Sequence, residues 1–296
     1  MNYTEKGSKL YLFSIVLVAV IGGLLFGYDT AVISGADKGL QAFFMGASDF
    51  VYTDTIHGIT SSSALIGCII GSALSGFFAS NLGRKNSLFI AGVLFFLSAL
   101  GSYYPEFLFF DYGVPSYSLL VAFNFYRVLG GIGVGLASAI CPMYIAEIAP
   151  SNIRGTLVSW NQFAIIFGQL VVYFVNFLIL CENSNPVIKA IEGVNQILNP
   201  EAAAWTTETG WRLMFVSEAV PAGVFALLVL FVPETPRYLA MSGKDDKALQ
   251  VLSRINGLAQ AKVILSQIKA TAEEKTEKLF TYGWMVIFIG IMLSVF

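Results

Sequence analysis

Residues 10–35 read LYLFSIVLVAVIGGLLFGYDTAVISG, and Asp29 is the single charged residue in this stretch. A helix needs about 20 apolar residues to cross the hydrocarbon core of a bilayer, which is roughly 30 Å thick. Lipid offers the backbone no hydrogen-bond partner, so such a stretch is either a helix or a strand of a closed barrel. The residues do not alternate with the period of two that a barrel strand requires. They therefore predict a transmembrane helix.

Five further apolar stretches follow, and the six predicted spans are 10–35, 57–79, 87–103, 117–142, 156–180 and 212–232. The chain of 296 residues is 56% hydrophobic and 12% charged, whereas a soluble domain carries about 25% charged residues. The predicted fold class is therefore an all-α integral membrane protein that resides in a lipid bilayer. The 17 basic residues are balanced by 19 acidic ones, so no basic surplus indicates nucleic-acid binding.

Lys and Arg are distributed unequally between the two ends of the predicted spans. With the N-terminus in the cytoplasm, the inner loops hold most of the basic residues, whereas the outer loops hold Lys38 and Lys189, with Arg212 at the outer end of the sixth span. Because positively charged loops stay on the cytoplasmic side, this distribution predicts a cytoplasmic N-terminus. The first span is too long for a secretory signal and contains Asp29, so we expect it to be retained.

The composition changes after the sixth span and indicates three parts of the chain. Residues 1–240 contain the six spans. Residues 241–280 are charged and predict amphipathic linker helices in the cytoplasm, one face of which packs while the other is solvated or meets the inner membrane surface. Residues 281–296 are apolar again but too short to span, so they predict the truncated start of a seventh span and an incomplete chain. We assign no function to the outward loop 181–210.

Three charged residues stand out in the interior of the predicted spans, namely Asp29, Arg127 and Glu218. Such residues cost about 2.5–3.5 kcal/mol on insertion scales and usually face a partner or a wet cavity. Asp29 and Arg127 both lie in the outer half of the membrane, where an ion pair would relieve their desolvation. Arg stays charged, so movement of Arg127 relative to Asp29 changes the proton affinity of the carboxyl. The pair therefore predicts a proton-carrying acid, with a purely structural pair as the alternative, and Glu218 is a second candidate for the same role.

Polar amides interrupt the fifth span. Gln162 and Gln169 are seven residues apart and lie on nearly the same helix face. An amide both donates and accepts hydrogen bonds, which suits a sugar hydroxyl better than an anion. Phe26 shares a face with Asp29 on the first span and would add an aromatic wall beside the carboxylate. These residues predict a sugar-binding surface, and amide hydrogen bonds between helices are the alternative.

Four short motifs occur in order along the chain. They read GRK at 83–85, YRVLGG at 126–131, AEIAP at 146–150 followed by Arg154, and PETPRYL at 233–239. With these motifs the chain resembles the sugar porter family of the major facilitator superfamily. The resemblance implies the N-terminal six-helix bundle of that superfamily, with its 3+3 inverted repeat, in the inner (plasma) membrane of a bacterium.

The resemblance also implies residue roles. Asp29 and Arg127 match the family's proton-coupling pair, and Phe26, Gln162 and Gln169 match its sugar-binding residues. A cytoplasmic gate is implied for the charged residues of the loop motifs, namely Arg84, Lys85, Glu147, Arg154, Glu234 and Arg237. Facilitative relatives typically lack an acid at the position of Asp29, so the acid favours proton symport. Ser80 and Asn81 depart from the family's loop pattern.

The implied function is transport of a monosaccharide, D-xylose in particular, coupled to protons by alternating access in a monomeric carrier. A facilitative sugar or polyol uniporter is one alternative. A non-transporting remnant is another, because alternating access requires two halves that rock around a midplane site. An enzyme is not predicted, because the intramembrane charges form no nucleophile–base or metal constellation. No cofactor or metal is predicted either, since His57 is the only histidine and has no ligand cluster near it.

Overall fold

The computed structural model describes residue 5 and residues 7–107, 112–184 and 206–273 of the chain. Within these ranges all regular secondary structure is helical, and six helices are long and apolar enough to cross a membrane. The all-α membrane fold class is therefore confirmed. The predicted start of a seventh span at 281–296 and most of the loop 181–210 lie outside the described residues.

The first five spans are long helices, namely α1 (Lys9–Met45), α2 (Asp54–Asn81), α3 (Arg84–Tyr103), α4 (Tyr117–Ile148) and α5 (Arg154–Ser184). Hydroxyl side chains begin three of them, because Ser8, Thr53 and Ser116 each accept the backbone N–H three residues further on. Such caps satisfy N–H groups that have no partner within the helix. The helices extend beyond the predicted apolar spans, and α1 has 37 residues, whereas about 20 suffice to cross the hydrocarbon core.

The sixth span, Thr207–Phe231, is interrupted. A π-helical turn, Thr206–Gly210, leads into α6 (Trp211–Val216), and α7 (Ala219–Phe231) follows after a short break. Pro221 has no backbone N–H to donate to the carbonyl of Ser217, so the regular ladder cannot run through this point. The break places Glu218 in a turn inside the span.

The bundle is organised around α4, which packs on α2 and α3, while α1 packs on α5 and α3 packs on α7. Glycines set the closest contacts. A β-carbon at Gly67 or Gly71 of α2 would overlap backbone atoms of α4, and one at Gly131 or Gly135 of α4 would overlap backbone atoms of α2. Small residues at such positions let helices approach closely in membranes.

Three shorter helices follow the spans, namely α8 (Pro236–Met241), α9 (Asp245–Asn256) and α10 (Leu258–Glu273). Ala248, Leu252 and Ile255 on one face of α9 are buried, and Ala248 and Ile255 belong to the same apolar cluster as the bundle core. The N–H of Ser8 donates to the carbonyl of Arg254 at 2.8 Å. The expected packing of one face is therefore present, and it joins α9 to the start of α1.

We expect Gly71→Ala to destabilise the bundle by about 1–3 kcal/mol, because the added methyl group meets the carbonyl of Ile132 and forces α2 away from α4. Gly76→Ala on the same helix is the matched control, since a β-carbon there has nothing within 4 Å. Thermal unfolding of the purified protein in detergent measures both variants. Equal midpoints for the two would contradict the close-contact interpretation.

Candidate transport site

The predicted contact between Asp29 and Arg127 is present. Nη1 of Arg127 donates to Oδ1 of Asp29 at 2.5 Å, and the two side chains are 3% and 1% exposed respectively. The guanidinium also lies over the ring of Phe215, 5.0 Å from its centroid. α1 supplies the acid, α4 the base and α6 the ring. Each charge therefore compensates the desolvation of the other at a depth where neither has bulk water.

Glu218 is the third charged group of this cluster. It is buried at the break between α6 and α7, and its charge interacts with those of both Asp29 and Arg127. Oε1 of Glu218 and Oδ2 of Asp29 accept no hydrogen bond from an N–H or hydroxyl group of the described residues, and the two carboxyl side chains interact with each other. Two acids and one base therefore lie together in this buried cluster.

A tyrosine hydrogen bond holds the break in the sixth span against α1. The hydroxyls of Tyr28 and Ser217 are 2.7 Å apart, and each residue directly precedes an acid of the cluster. Sequence reasoning did not identify this contact. It positions Glu218 relative to Asp29 through two neighbouring residues.

The amides of α5 divide into two groups. Asn161 and Asn176 are buried where α5 meets α1, and Nδ2 of Asn176 donates to the carbonyl of Val32 at 3.3 Å. Gln162 is exposed and Gln169 is half-buried, and neither makes a hydrogen bond within the described ranges. The asparagines thus provide the interhelical contact, whereas the two glutamines remain available to another molecule.

Phe26 lies on α1 where that helix is closest to α5. A β-carbon at Gly27 would overlap the carbonyl of Ile165, and one at Gly168 would overlap the carbonyl of Leu24. Phe26 itself is partly buried against the bundle core. The aromatic ring, the two glutamines and Asp29 are therefore carried by one tightly packed pair of helices.

The end of the bundle that carries Arg84, here named the basic end, contains a polar network. Nη2 of Arg84 contacts Oε1 of Glu147 at 2.7 Å. The carboxylate of Glu234 accepts the backbone N–H groups of Arg84, Lys85 and Thr235 at 2.8–3.2 Å. Burial raises the pKa of Glu234, although these N–H groups act in the opposite direction. Three of the predicted gate residues, Arg84, Glu147 and Glu234, are thus joined, and Lys85 takes part through its backbone.

The other two predicted gate residues lie beside this network. Arg154 donates to the carbonyl of Ala149 at 3.4 Å, and the side chain of Arg237 is exposed. Both line a cavity of about 450 Å³ next to Glu147, which α9 and α10 help to enclose. Neither forms an ion pair with Glu147 among the described residues.

The opposite end, named the acidic end, holds a second buried ion pair. Nη1 and Nη2 of Arg212 contact the two carboxylate oxygens of Glu106 at 2.8 and 2.5 Å, and both side chains are fully buried. The guanidinium also lies over the rings of Trp211, Phe43 and Tyr112 at 4.5–5.1 Å. This arrangement satisfies both groups and ties the end of α3 to the start of α6.

Residues 15–296 match the family described as "Sugar (and other) transporter". The chain belongs to the sugar transporter family. It is 46% identical to the D-xylose-proton symporter of Escherichia coli K12, over 97% of this chain and 57% of that protein. It is 33% identical to the glucose facilitated diffusion protein of Zymomonas mobilis, over 99% of this chain and 59% of that protein.

Solved structures agree with this sugar transporter assignment. The E. coli proton:xylose symporter XylE bound to 6-bromo-6-deoxy-D-glucose superposes with a TM-score of 0.83 at 44% identity, covering 97% of this chain and 59% of that one. A partially occluded, inward-open conformation of XylE gives a TM-score of 0.81. The predicted major facilitator fold is confirmed, and the chain spans just over half the length of the curated relatives it matches.

Two features of the structure were not identified from the sequence. Glu106 was not singled out, and the structure buries it against Arg212. Their depth in the membrane could have indicated this pair. Glu106 and Arg212 both lie at the outer ends of predicted spans, where a charged residue needs a partner. Phe215 was not identified as the ring beside Arg127, since aromatic residues are abundant throughout the spans.

We expect Glu106→Ala to lower the unfolding midpoint in detergent strongly, by an equivalent of about 3–5 kcal/mol, because it leaves a fully buried guanidinium unpaired. Glu208→Ala is the matched control, since the Glu208 side chain is exposed and only its backbone carbonyl contacts Arg212. A midpoint for Glu106→Ala as high as that of the control would show that this pair does not hold the acidic end together.

Proposed function

We propose that the protein containing this chain imports a monosaccharide together with protons, and that D-xylose is the favoured sugar. The buried cluster of Asp29, Arg127 and Glu218 carries the proposal. The relatives reported above are transporters, and one is named for D-xylose and protons.

Protonation of this cluster is the proposed coupling step. While Asp29 is ionised, its attraction to Arg127 holds α1 against α4. A proton on Asp29 removes most of that attraction, and Arg127 keeps its charge at any physiological pH. The relative position of α1 and α4 therefore depends on whether a proton is bound.

The same helix links the proton to the sugar. α1 carries Phe26 one turn before Asp29, and its glycine contacts make α5 move with it. We assign the sugar hydroxyls to Gln162 and Gln169, whose amides have no partner in the described part of the chain. A shift of α1 on protonation thereby changes the position of the sugar-binding amides.

The sugar site needs a second wall. Transporters of this kind rock two halves around a midplane site, and this chain spans just over half of its relatives. We propose that residues 1–240 form one half, 241–280 the cytoplasmic linker and 281–296 the start of the next span. A second half would complete the site, the gate residues at the basic end would hold the halves together, and this chain alone would not transport.

Location and assembly follow from the same proposal. The basic end, with Arg84 and Arg154, is assigned to the cytoplasm because positive loops stay inside. This places the N-terminus in the cytoplasm and the protein in a bacterial inner membrane. The proposed carrier works as a monomer, with the sugar, protons and lipid as its only partners.

A facilitative uniporter is the second candidate. One relative, at 33% identity, is named a glucose facilitated diffusion protein. The buried acid at position 29 favours symport, because movement of Arg127 relative to it would change its affinity for a proton. Dependence of accumulation on a proton gradient separates the two functions.

Asp29→Asn in the complete protein should abolish accumulation of D-xylose driven by a proton gradient. Exchange of labelled for unlabelled sugar should persist, because exchange needs no net proton movement. Uptake into proteoliposomes with and without a pH gradient measures both. A second variant, Asp29→Asn with Arg127→Gln, controls for the unpaired guanidinium. Accumulation by Asp29→Asn at the level of the unmodified protein rules out coupling by this acid.

Gln162→Ala and Gln169→Ala should each weaken sugar binding about tenfold or more, because a buried sugar hydroxyl then lacks its partner. Leu170→Ala is the matched control, since this neighbouring side chain is 63% exposed on another face of α5. Binding of D-xylose to the purified complete protein, measured by calorimetry, tests the assignment. Unchanged affinity in both glutamine variants refutes it.

A further inference from the structure

Two serines of α3 differ from the other buried serines. Ser63, Ser75 and Ser87 each donate their hydroxyl to a carbonyl of the preceding turn of the chain, at 2.6–2.8 Å. Ser98 and Ser102 are 1% and 0% exposed, yet their hydroxyls have no hydrogen-bond partner among the described residues. A buried hydroxyl without a partner is unfavourable, so these two positions need an explanation.

Ser98 faces the proton-coupling cluster across a glycine. The point that a β-carbon of Gly130 would occupy is 3.9 Å from Oδ1 of Asp29, and the hydroxyl of Ser98 lies in contact with the same point. Gly130 contributes no side chain between α3 and α1 at this point. The Ser98 hydroxyl and the Asp29 carboxylate therefore both border the space beside Gly130.

The polar atoms around this point match the requirements of a buried water. Such waters bind two to four polar groups that otherwise lack partners. Oγ of Ser98 is buried without a partner in the described ranges, and Oδ2 of Asp29 and Oε1 of Glu218 accept no hydrogen bond from a described N–H or hydroxyl group. They come from three separate elements, α1, the α6–α7 turn and α3.

We propose that Ser98 positions the proton-binding carboxyl of Asp29 by donating a hydrogen bond to it through one ordered water. The inference rests on the proposed proton coupling and adds a neutral group to it. The ionisable groups that face Asp29 are Arg127 from α4, Glu218 from the α6–α7 turn and the thiol of Cys68 from α2. A neutral donor adjusts the pH at which the acid takes up a proton without adding a charge to the cluster.

Ser98→Ala in the complete protein tests the proposal. Loss of a donor to the charged carboxylate favours its protonated form, so the pH midpoint of gradient-driven uptake should move upward, by about half a unit or more. Ser87→Ala is the matched control, because Ser87 lies on the same helix, is equally buried and bonds to its own helix. Ser98→Cys keeps the volume with a weaker donor and should shift the midpoint in the same direction.

Thermal unfolding in detergent between pH 5 and pH 8 gives a readout independent of transport. When Asp29 is intact, the change in unfolding midpoint that Ser98→Ala causes should vary with pH. In an Asp29→Asn background the same change should be independent of pH. A pH-independent effect in both backgrounds, or an unmoved uptake midpoint, overturns the proposal for Ser98. If the Asp29→Asn protein still accumulates sugar in response to a proton gradient, the proposed proton coupling is wrong. That result differs from the two results that overturn the role of Ser98 alone.

Discussion

The buried contact between Asp29 and Arg127 dictates how α1 and α4 must be placed against each other. Both residues lie inside spans, where an isolated ion is unfavourable, and each compensates the other at 2.5 Å. The contact requires α1 and α4 to have matched depth and rotation. Packing on α2 and α3 fixes the position of α4, and packing on α5 fixes the position of α1. The glycine contacts of these pairs therefore position the charges as well as the bundle.

The break in the sixth span brings a second acid to this contact. Pro221 cannot donate to the carbonyl of Ser217, and Ser217 and Glu218 form a turn between α6 and α7 while their backbone keeps helical torsion angles. The Tyr28–Ser217 hydrogen bond then fixes the turn against α1. Irregular backbone at membrane depth is tolerated where protein surrounds it, and here it creates a cluster with two acids and one base.

Sequence reasoning predicted the parts of the structure that follow from hydrophobicity and depth. It identified six spans and the meeting of Asp29 with Arg127, because chain position alone gives depth in a membrane. The rotation of each helix about its own axis was harder to predict. Asn161 and Gln162 are adjacent, yet one is buried against α1 and the other is exposed, which depends on where Gly23 and Gly27 allow contact. Glu106 was missed because it follows a span directly and resembles a loop acid, and Ser98 because serine is common in membrane helices.

The two buried arginines, Arg212 and Arg127, differ in how completely their hydrogen-bond partners are satisfied. Arg212 binds both oxygens of Glu106, also donates to the carbonyls of Tyr103 and Glu208, and is surrounded by aromatic rings. Both carboxylate oxygens of Glu106 accept a hydrogen bond there. Arg127 makes a single hydrogen bond to Asp29, and one oxygen each of Asp29 and Glu218 accepts no hydrogen bond from a described N–H or hydroxyl group. An incompletely satisfied pair can gain a proton or a water and change partners. That difference favours a structural role at the acidic end and a proton-binding role at the centre of the bundle.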